Sequence, residues 1–318
     1  MDEKKKAVLK AFAKEFGRGD EAASEQAHSY LYLKHTNHYV YNMQASINHL
    51  KPHPDELVKP QGPEEDAVDD MIKIYSSQVN RKALDVKTNS YHGKIMHVND
   101  AKKLFKLTKD LNLPDLPKTI IPYEQARATV LKDPQNLCVI NCPCREARGE
   151  KGCYPRDVCI IIGEPWVSFV MEFNKSSHPR RITQEEALQI VERQHKAGNV
   201  HSLFYKVNGR TYALCNCCPC CCTCMLAFKY AHSPVMVGAG YKAEVDDSQC
   251  VGCGSCEKTC GFDAISCATG VAVVDKDKCM GCGACESQCP IGGIKMIPDD
   301  PTVCEPLDIE KLAPETLE

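Results

Sequence analysis

The first pattern of apolar and polar positions along the chain is helical. Across Ala7–Phe16, Val8, Phe12 and Phe16 recur every four residues and Leu9 joins the stripe, which predicts a helix ended by Gly17 and Gly19. A second stretch, Ala27 to Leu50, is rich in Tyr and His. A third, over 64–85, opens on the acidic turn Glu64-Glu65-Asp66, with Pro52, Pro54, Pro60 and Pro63 in the loop before it. Asn99 or Asp100 is placed to cap a short helix through Leu111, and Pro114, Pro117 and Pro122 then stiffen the connection.

Beyond residue 125 the period changes. Leu137–Ile140 and Val158–Ile162 are continuous apolar runs of strand length. Thr183 with Glu186 forms a capping box for a helix over 184–197, stopped by Gly198. Residues 204–214 read as a hairpin around Asn208-Gly209, and that hairpin delivers the chain to a run of cysteines. These patterns predict an α+β chain. It has a mostly helical N-terminal domain (1–125), a cysteine-rich mixed α/β middle domain (126–245), a compact C-terminal module (246–300) and an acidic surface tail (301–318).

Composition sharpens this picture at one point. The chain of 318 residues has 22 cysteines, none before position 138 and none after 304. The start, Met1-Asp2-Glu3-Lys4-Lys5-Lys6, is followed by no apolar signal core, and no run of about 18 apolar residues occurs anywhere. The expectation is a cytoplasmic protein with no membrane span, where thiols stay reduced and so many cysteines serve metal or redox chemistry rather than disulfides. The net charge of −3 argues against a nucleic-acid partner; the C-terminal part is acidic and the rest is weakly basic.

Two runs carry the chemistry. Cys250-Val-Gly-Cys253-Gly-Ser-Cys256-Glu-Lys-Thr-Cys260 and Cys279-Met-Gly-Cys282-Gly-Ala-Cys285-Glu-Ser-Gln-Cys289 share one C-x2-C-x2-C-x3-C spacing. A tight turn around one corner of a cubane lets three nearby thiolates reach three irons. Gly252, Gly254, Gly281 and Gly283 permit positive φ and a close backbone approach, and the fourth cysteine reaches the other cluster. Zinc knuckles use separated pairs and do not fit this spacing.

Residues 248–298 resemble a bacterial-type ferredoxin domain with two [4Fe–4S] clusters. The resemblance implies that Cys250, Cys253, Cys256 and Cys289 hold one cluster and that Cys279, Cys282, Cys285 and Cys260 hold the other. It also implies a short hairpin from Ala264–Ser266 and Val271–Val274, electron transport as the activity, and a redox partner protein. One departure is visible: Pro290 follows Cys289, but Gly261 follows Cys260, which loosens the turn there.

Upstream are twelve further candidate metal ligands: Cys138, Cys142, Cys144, Cys153 and Cys159, then Cys215, Cys217, Cys218, Cys220, Cys221, Cys222 and Cys224. Pro219 disfavours a helix in the second group, and in an extended segment adjacent side chains point to opposite faces, so Cys217 and Cys218 are expected to serve different sites, or one to be a ligand while the other packs. Arg145 and Arg148 lie close enough to offset thiolate charge. The economical reading is that both groups meet around one centre, a third iron–sulfur cluster or a zinc; other roles, such as reactive thiols, are the remaining alternative. A non-cubane site of the heterodisulfide-reductase type needs Cys-Cys-Gly, which is not found here.

Cys267 and Cys304 fit neither pattern and read as bystanders. His28, His35, His38, His92 and His97 read as ordinary surface or core residues, and Trp166 as a packing residue beside the cysteine-rich domain. No dinucleotide fingerprint, P-loop or haem-attachment motif occurs. The sequence therefore predicts an iron–sulfur electron-transfer protein of an anaerobic-type redox system. The alternatives are an iron–sulfur reductase, its active site among the middle cysteines, and a zinc-stabilised interaction subunit. No catalytic residue and no small-molecule substrate is named by any motif.

Overall fold

The computed structural model describes residues 2–16, 20–61, 68, 93–122, 127, 129–205 and 211–317. The helix expected over 64–85, His92 and the Asn208-Gly209 turn lie outside the described residues, Val68 excepted. The N-terminal elements are α1 (Glu3–Ala13), α2 (Asp20–Lys34) and α3 (Thr36–Asn48). Asp2 caps α1 by accepting from Lys5 N–H, and the predicted stripe packs inward, Phe12 buried with Val8, Leu9 and Phe16 against the same cluster. The Ala27–Leu50 stretch is two helices rather than one. His35 leaves helical geometry at φ −118°, ψ 43°, and Thr36 turns its hydroxyl back onto the Tyr32 carbonyl at 2.8 Å.

Next come β1 (Gly93–Met96), α4 (Val98–Leu104), β2 (Leu111–Leu113), β3 (Thr129–Leu131), β4 (Leu137–Asn141), α5 (Pro143–Glu146) and β5 (Asp157–Ile162). They are followed by α6 (Trp166–Phe173), β6 (Arg180–Ile182), α7 (Gln184–Lys196), β7 (Val200–Tyr205), β8 (Thr211–Cys217), α8 (Thr223–Ala231) and β9 (Met236–Val237). The cap of α4 is His97, whose ring accepts from Asn99 N–H, so that helix starts and ends earlier than the sequence suggested. Thr183 caps α7 as expected, and Gly198 beyond it has φ +74°.

Seven strands form one sheet in the order β6-β4-β5-β8-β7-β1-β9, antiparallel except where β9 runs alongside β1. β4 and β5 are buried on both sides, which is why they read as unbroken apolar runs. On one face Val139, Ile160, Ile162, Leu203 and Leu214 pack with α4, α7 and the C-terminal segment. On the other, Ile140, Ile161, Val200 and Ala213 pack with Phe12, Leu33 and the Trp166–Val170 stretch. Trp166 is buried and meets Phe12 edge-on at 5.9 Å, while Phe12 stacks on Phe169 at 4.4 Å, so α1 is clamped to α6 through aromatic contacts.

The C-terminal module is built from β10 (Tyr241–Val245), α9 (Ser255–Thr259), β11 (Ile265–Ser266), β12 (Val273–Val274), α10 (Ala284–Gln288) and β13 (Ile294–Pro298). β10 pairs with β13 and β11 with β12, the expected short hairpin. The acidic tail does more than lie on the surface. Leu307 and Ile309, the latter opening α11 (Ile309–Leu312), are buried in the sheet's core, because the apolar residues between its acidic ones fall on one side. Among the described residues, no helix is long and apolar enough to cross a membrane.

Candidate metal centres

The C-terminal module is an internal repeat with an offset of 29 residues, Cys250 onto Cys279. Its hydrogen bonds repeat with it. Ala272 N–H donates to Cys250 Sγ at 3.3 Å, and Ala243 N–H to Cys279 Sγ at 3.4 Å. Ala264 N–H donates to Cys260 Sγ at 3.3 Å, and Gly293 N–H to Cys289 Sγ at 3.2 Å. Gly254 and Gly283 open the two short helices at φ +75° and +78°, a conformation that costs a side chain about 1–2 kcal/mol. Gly252 presses on the Gly270 carbonyl and Gly281 on the Tyr241 carbonyl, leaving no room for a Cβ at either.

Cys250, Cys253, Cys256 and Cys289 line one cavity of this module, with Cys267 on its wall. Cys267 is thus more than a bystander by position: the β11–β12 turn folds it to 3.8 Å from Cys256 Sγ. Cys260, Cys279 and Cys282 pack against the apolar cluster that also holds Cys217, Cys222 and Met225, Cys260 and Cys279 against the module's own core as well. Burial pushes the Cys282 thiol up to about 12 and the Cys285 thiol higher still, so without a metal both stay protonated. The set suits iron: eight soft sulfurs, Cys256 and Cys285 buried and Cys253 exposed, with positive-φ glycines in each run and backbone N–H groups aimed at sulfur.

The departure at Gly261 has a structural reason. A Cβ there would run into Met225 Cε and stand 3.1 Å from Pro219 Cβ. Gly261 is where the module touches the cysteine-rich segment, and the turn after Cys260 keeps the same N–H···S bond as its repeat.

The middle-domain cysteines fall into two groups, where the sequence suggested one centre. Cys153, Cys218, Cys220 and Cys221 have their sulfurs within 4.8 Å of one another, with Cys153–Cys220 at 3.2 Å, Cys220–Cys221 at 3.5 Å and Cys153–Cys221 at 3.8 Å. Thiolates about 2.3 Å from one tetrahedral ion stand about 3.8 Å apart, so this group has the size of a single-ion site.

The other group is a ring. Cys142 neighbours Cys159, Cys159 neighbours Cys215, Cys215 neighbours Cys217, Cys217 neighbours Cys222, Cys222 neighbours Cys144, and Cys144 returns to Cys142. Cys224 hangs on Cys222. The thiols are pushed alternately up and down around the ring, because each thiolate is held by hydrogen bonds from the thiols on either side. Cys159 is lowered to about 5 and Cys217 to about 6. Cys217 and Cys218 have different neighbours: Cys217 lies in the ring and Cys218 in the four-thiol group. Strand alternation does this for Cys215 and Cys217, which share one face of β8. Cys138, proposed with them, stands apart. It lies on β4 in the packed interior, where burial lifts its thiol to about 12 and the charges near it are Arg181 and Glu164.

Shared hydrogen-bond partners tie the two thiol groups together. Gln44, from α3, donates to the carbonyls of Cys221 (2.9 Å) and Cys144 (3.2 Å) and to the Thr223 hydroxyl (3.1 Å). Its carbonyl accepts from Arg148 Nε at 3.2 Å. Arg145, fully buried, donates to Gln194 Oε1 and to the carbonyls of Asn216 and Pro155. It also reaches Cys218, and the charges that face it are Cys218, Cys142 and Cys159.

Sequence reasoning passed over two histidines. His97 Nε2 lies 3.2 Å from Glu286, next to Cys285, and packs on Gly283. His201 is buried and bonded to Asn216 at 2.7 Å, between Cys215 and Cys217. The contacts span 189 and 15 positions of chain, and no local signal marks the first.

No curated protein matches the chain. Residues 243–296 match the family of 4Fe-4S dicluster domains, so the C-terminal module is a dicluster domain, which implies two [4Fe–4S] clusters.

Proposed function

We propose that this protein moves electrons between a redox partner and the thiol-rich centre of its middle domain, by way of the dicluster module. Cys250, Cys253, Cys256 and Cys289 hold the outer cluster in this reading, and Cys279, Cys282, Cys285 and Cys260 the inner one. Bound there, the clusters supply one-electron transfer. The observation that carries the reading is the placement of the two ends. Cys253 is exposed, flanked by Val251 (68% exposed) and Ile291 (42%), an apolar landing spot on an acidic module. At the other end Gly261 abuts Pro219 and Met225, inside the cysteine-rich segment. In this reading the protein works in the cytoplasm, in a low-oxygen metabolism, where the thiols this chemistry requires stay reduced.

The test is Cys253→Ala, purified without oxygen and reduced. The expected spectrum loses one of two interacting cluster signals by electron paramagnetic resonance; a variant with both signals intact would show the ligand assignment to be wrong. A second reading has its own support. The size of the four-thiol group favours a structural zinc, so part of the middle domain is a metal-pinned scaffold.

A further inference from the structure

We propose that the ring Cys142, Cys144, Cys159, Cys215, Cys217 and Cys222 is a second metal centre of the middle domain, holding a polynuclear iron–sulfur group separate from the ion of the four-thiol group. Three observations carry this beyond the electron-transfer reading.

The first is size. Among the described residues, the four-thiol group is the set whose sulfurs all lie within 4.8 Å of one another; the ring closes on itself yet is wider than one ion. Six thiols also exceed the four that a single tetrahedral ion accepts, so a centre that uses all of them is polynuclear.

The second is how the ring is built. Cys142 and Cys222 stand at the caps of α5 and α8 with the same backbone, φ −64°, ψ 113° and φ −62°, ψ 117°. Each is followed two residues later by a second ring or pendant cysteine, Cys144 and Cys224. Two matching Cys-x-Cys turns thus face each other, and Gln44 binds the carbonyl of Cys144 and the hydroxyl of Thr223, one from each turn. The third side is the sheet, where register places Cys159 across from Cys215, since Ile160 pairs with Leu214.

The third is charge. Arg145 is 0% exposed and donates to carbonyls; the charges that face it are Cys218 of the four-thiol group first and then Cys142 and Cys159 of the ring. A buried guanidinium is costly without a negative partner, and thiolates committed to metal supply one permanently. Iron with sulfide is favoured over zinc because the ring shares its apolar cluster with Cys260, Cys279 and Cys282, next to a redox centre.

The test counts iron, acid-labile sulfide and zinc in anaerobically purified full-length protein, with 57Fe Mössbauer spectra, for the wild type, Cys215→Ser/Cys222→Ser and Cys153→Ser/Cys220→Ser. The wild type is expected to exceed the about eight irons and eight sulfides of a dicluster. The ring variant loses that excess of both while the dicluster signals persist, and the four-thiol variant loses one ion and no sulfide. Sulfide at about eight in the wild type overturns the proposal without need of any variant. So does excess sulfide that survives the ring substitutions, or zinc in the ring. Failure of the electron-transfer reading would instead appear in the dicluster signals, which these substitutions leave in place.

Discussion

At the scale of single residues, the two repeats of the dicluster module can be compared directly. Gly254 and Gly283 have the same φ, but a Cβ on Gly254 meets nothing within 4 Å, while one on Gly283 comes within 2.8 Å of His97 Cδ2. Gly254→Ala should therefore cost only the backbone term, about 1 kcal/mol, and Gly283→Ala clearly more, with His97 displaced from Glu286. Equal losses in anaerobic thermal melts would sink this comparison. Lys94 offers a second test. It is buried, donates to the Glu305 carbonyl at 2.8 Å, and burial lowers its ammonium to about 8 from 10.5. The unfolded chain then binds more protons than the folded one between about pH 8 and 10.5, so Lys94 costs stability below pH 8 and that cost is relieved as pH rises. The wild type minus Lys94→Met difference should rise by up to about 3 kcal/mol across that window; a flat difference in chemical denaturation would refute the burial argument.

At the scale of elements, much was legible and the reasons differ by element. The Cys-x2-Cys-x2-Cys-x3-Cys runs are local, so spacing alone carried their chemistry, and the capping box at Thr183 fixed α7 equally well. The thiol ring was not legible. Cys159 meets Cys215 only through the β5–β8 register, and seven cysteines in ten residues offer too many pairs for spacing to choose among. The split of Ala27–Leu50 at His35 was also hidden, since its apolar positions run on through the break. Its consequence is functional: the break turns α3 so that Gln44 reaches the cysteine turns. Gln44→Ala would strip the Cys144 and Cys221 carbonyls and Arg148 of a partner. Metal should leave the middle domain several-fold faster in the presence of a chelator, with dicluster iron unaffected, and unchanged release kinetics would mean that Gln44 merely fills space. The tail gives another contrast with its acidic sequence. Ile309 is 0% exposed, and Ile309→Ala should cost about 2–4 kcal/mol in denaturant unfolding.

At the scale of the whole molecule, the parts are not beads on a string. β1 and the C-terminal segment complete the middle domain's sheet and core from either side of it in sequence, and the inner half of the dicluster module shares that domain's apolar cluster. The outer half faces solvent with Val251 and Ile291. Val251→Asp/Ile291→Asp should slow reduction by a protein donor several-fold, yet leave reduction by dithionite and the iron content unchanged. Equal slowing with both reductants would place the effect in the cluster itself rather than at a docking surface.

The 29-residue repeat, finally, bears on energetics in a way its geometry alone does not announce. Each half gives its sulfurs the same N–H bonds at nearly the same lengths. A duplicated module of this kind, left to itself, offers an electron two nearly degenerate stations and no preferred direction. On the proposed assignment, the contact at Gly261 sets one station against the middle domain while the other keeps the exposed Cys253, and cluster potential follows solvent exposure. A gradient along the proposed path is then a property of docking, not of ligation: a bulky residue at Gly261 that lifts the module away should draw the two midpoint potentials together.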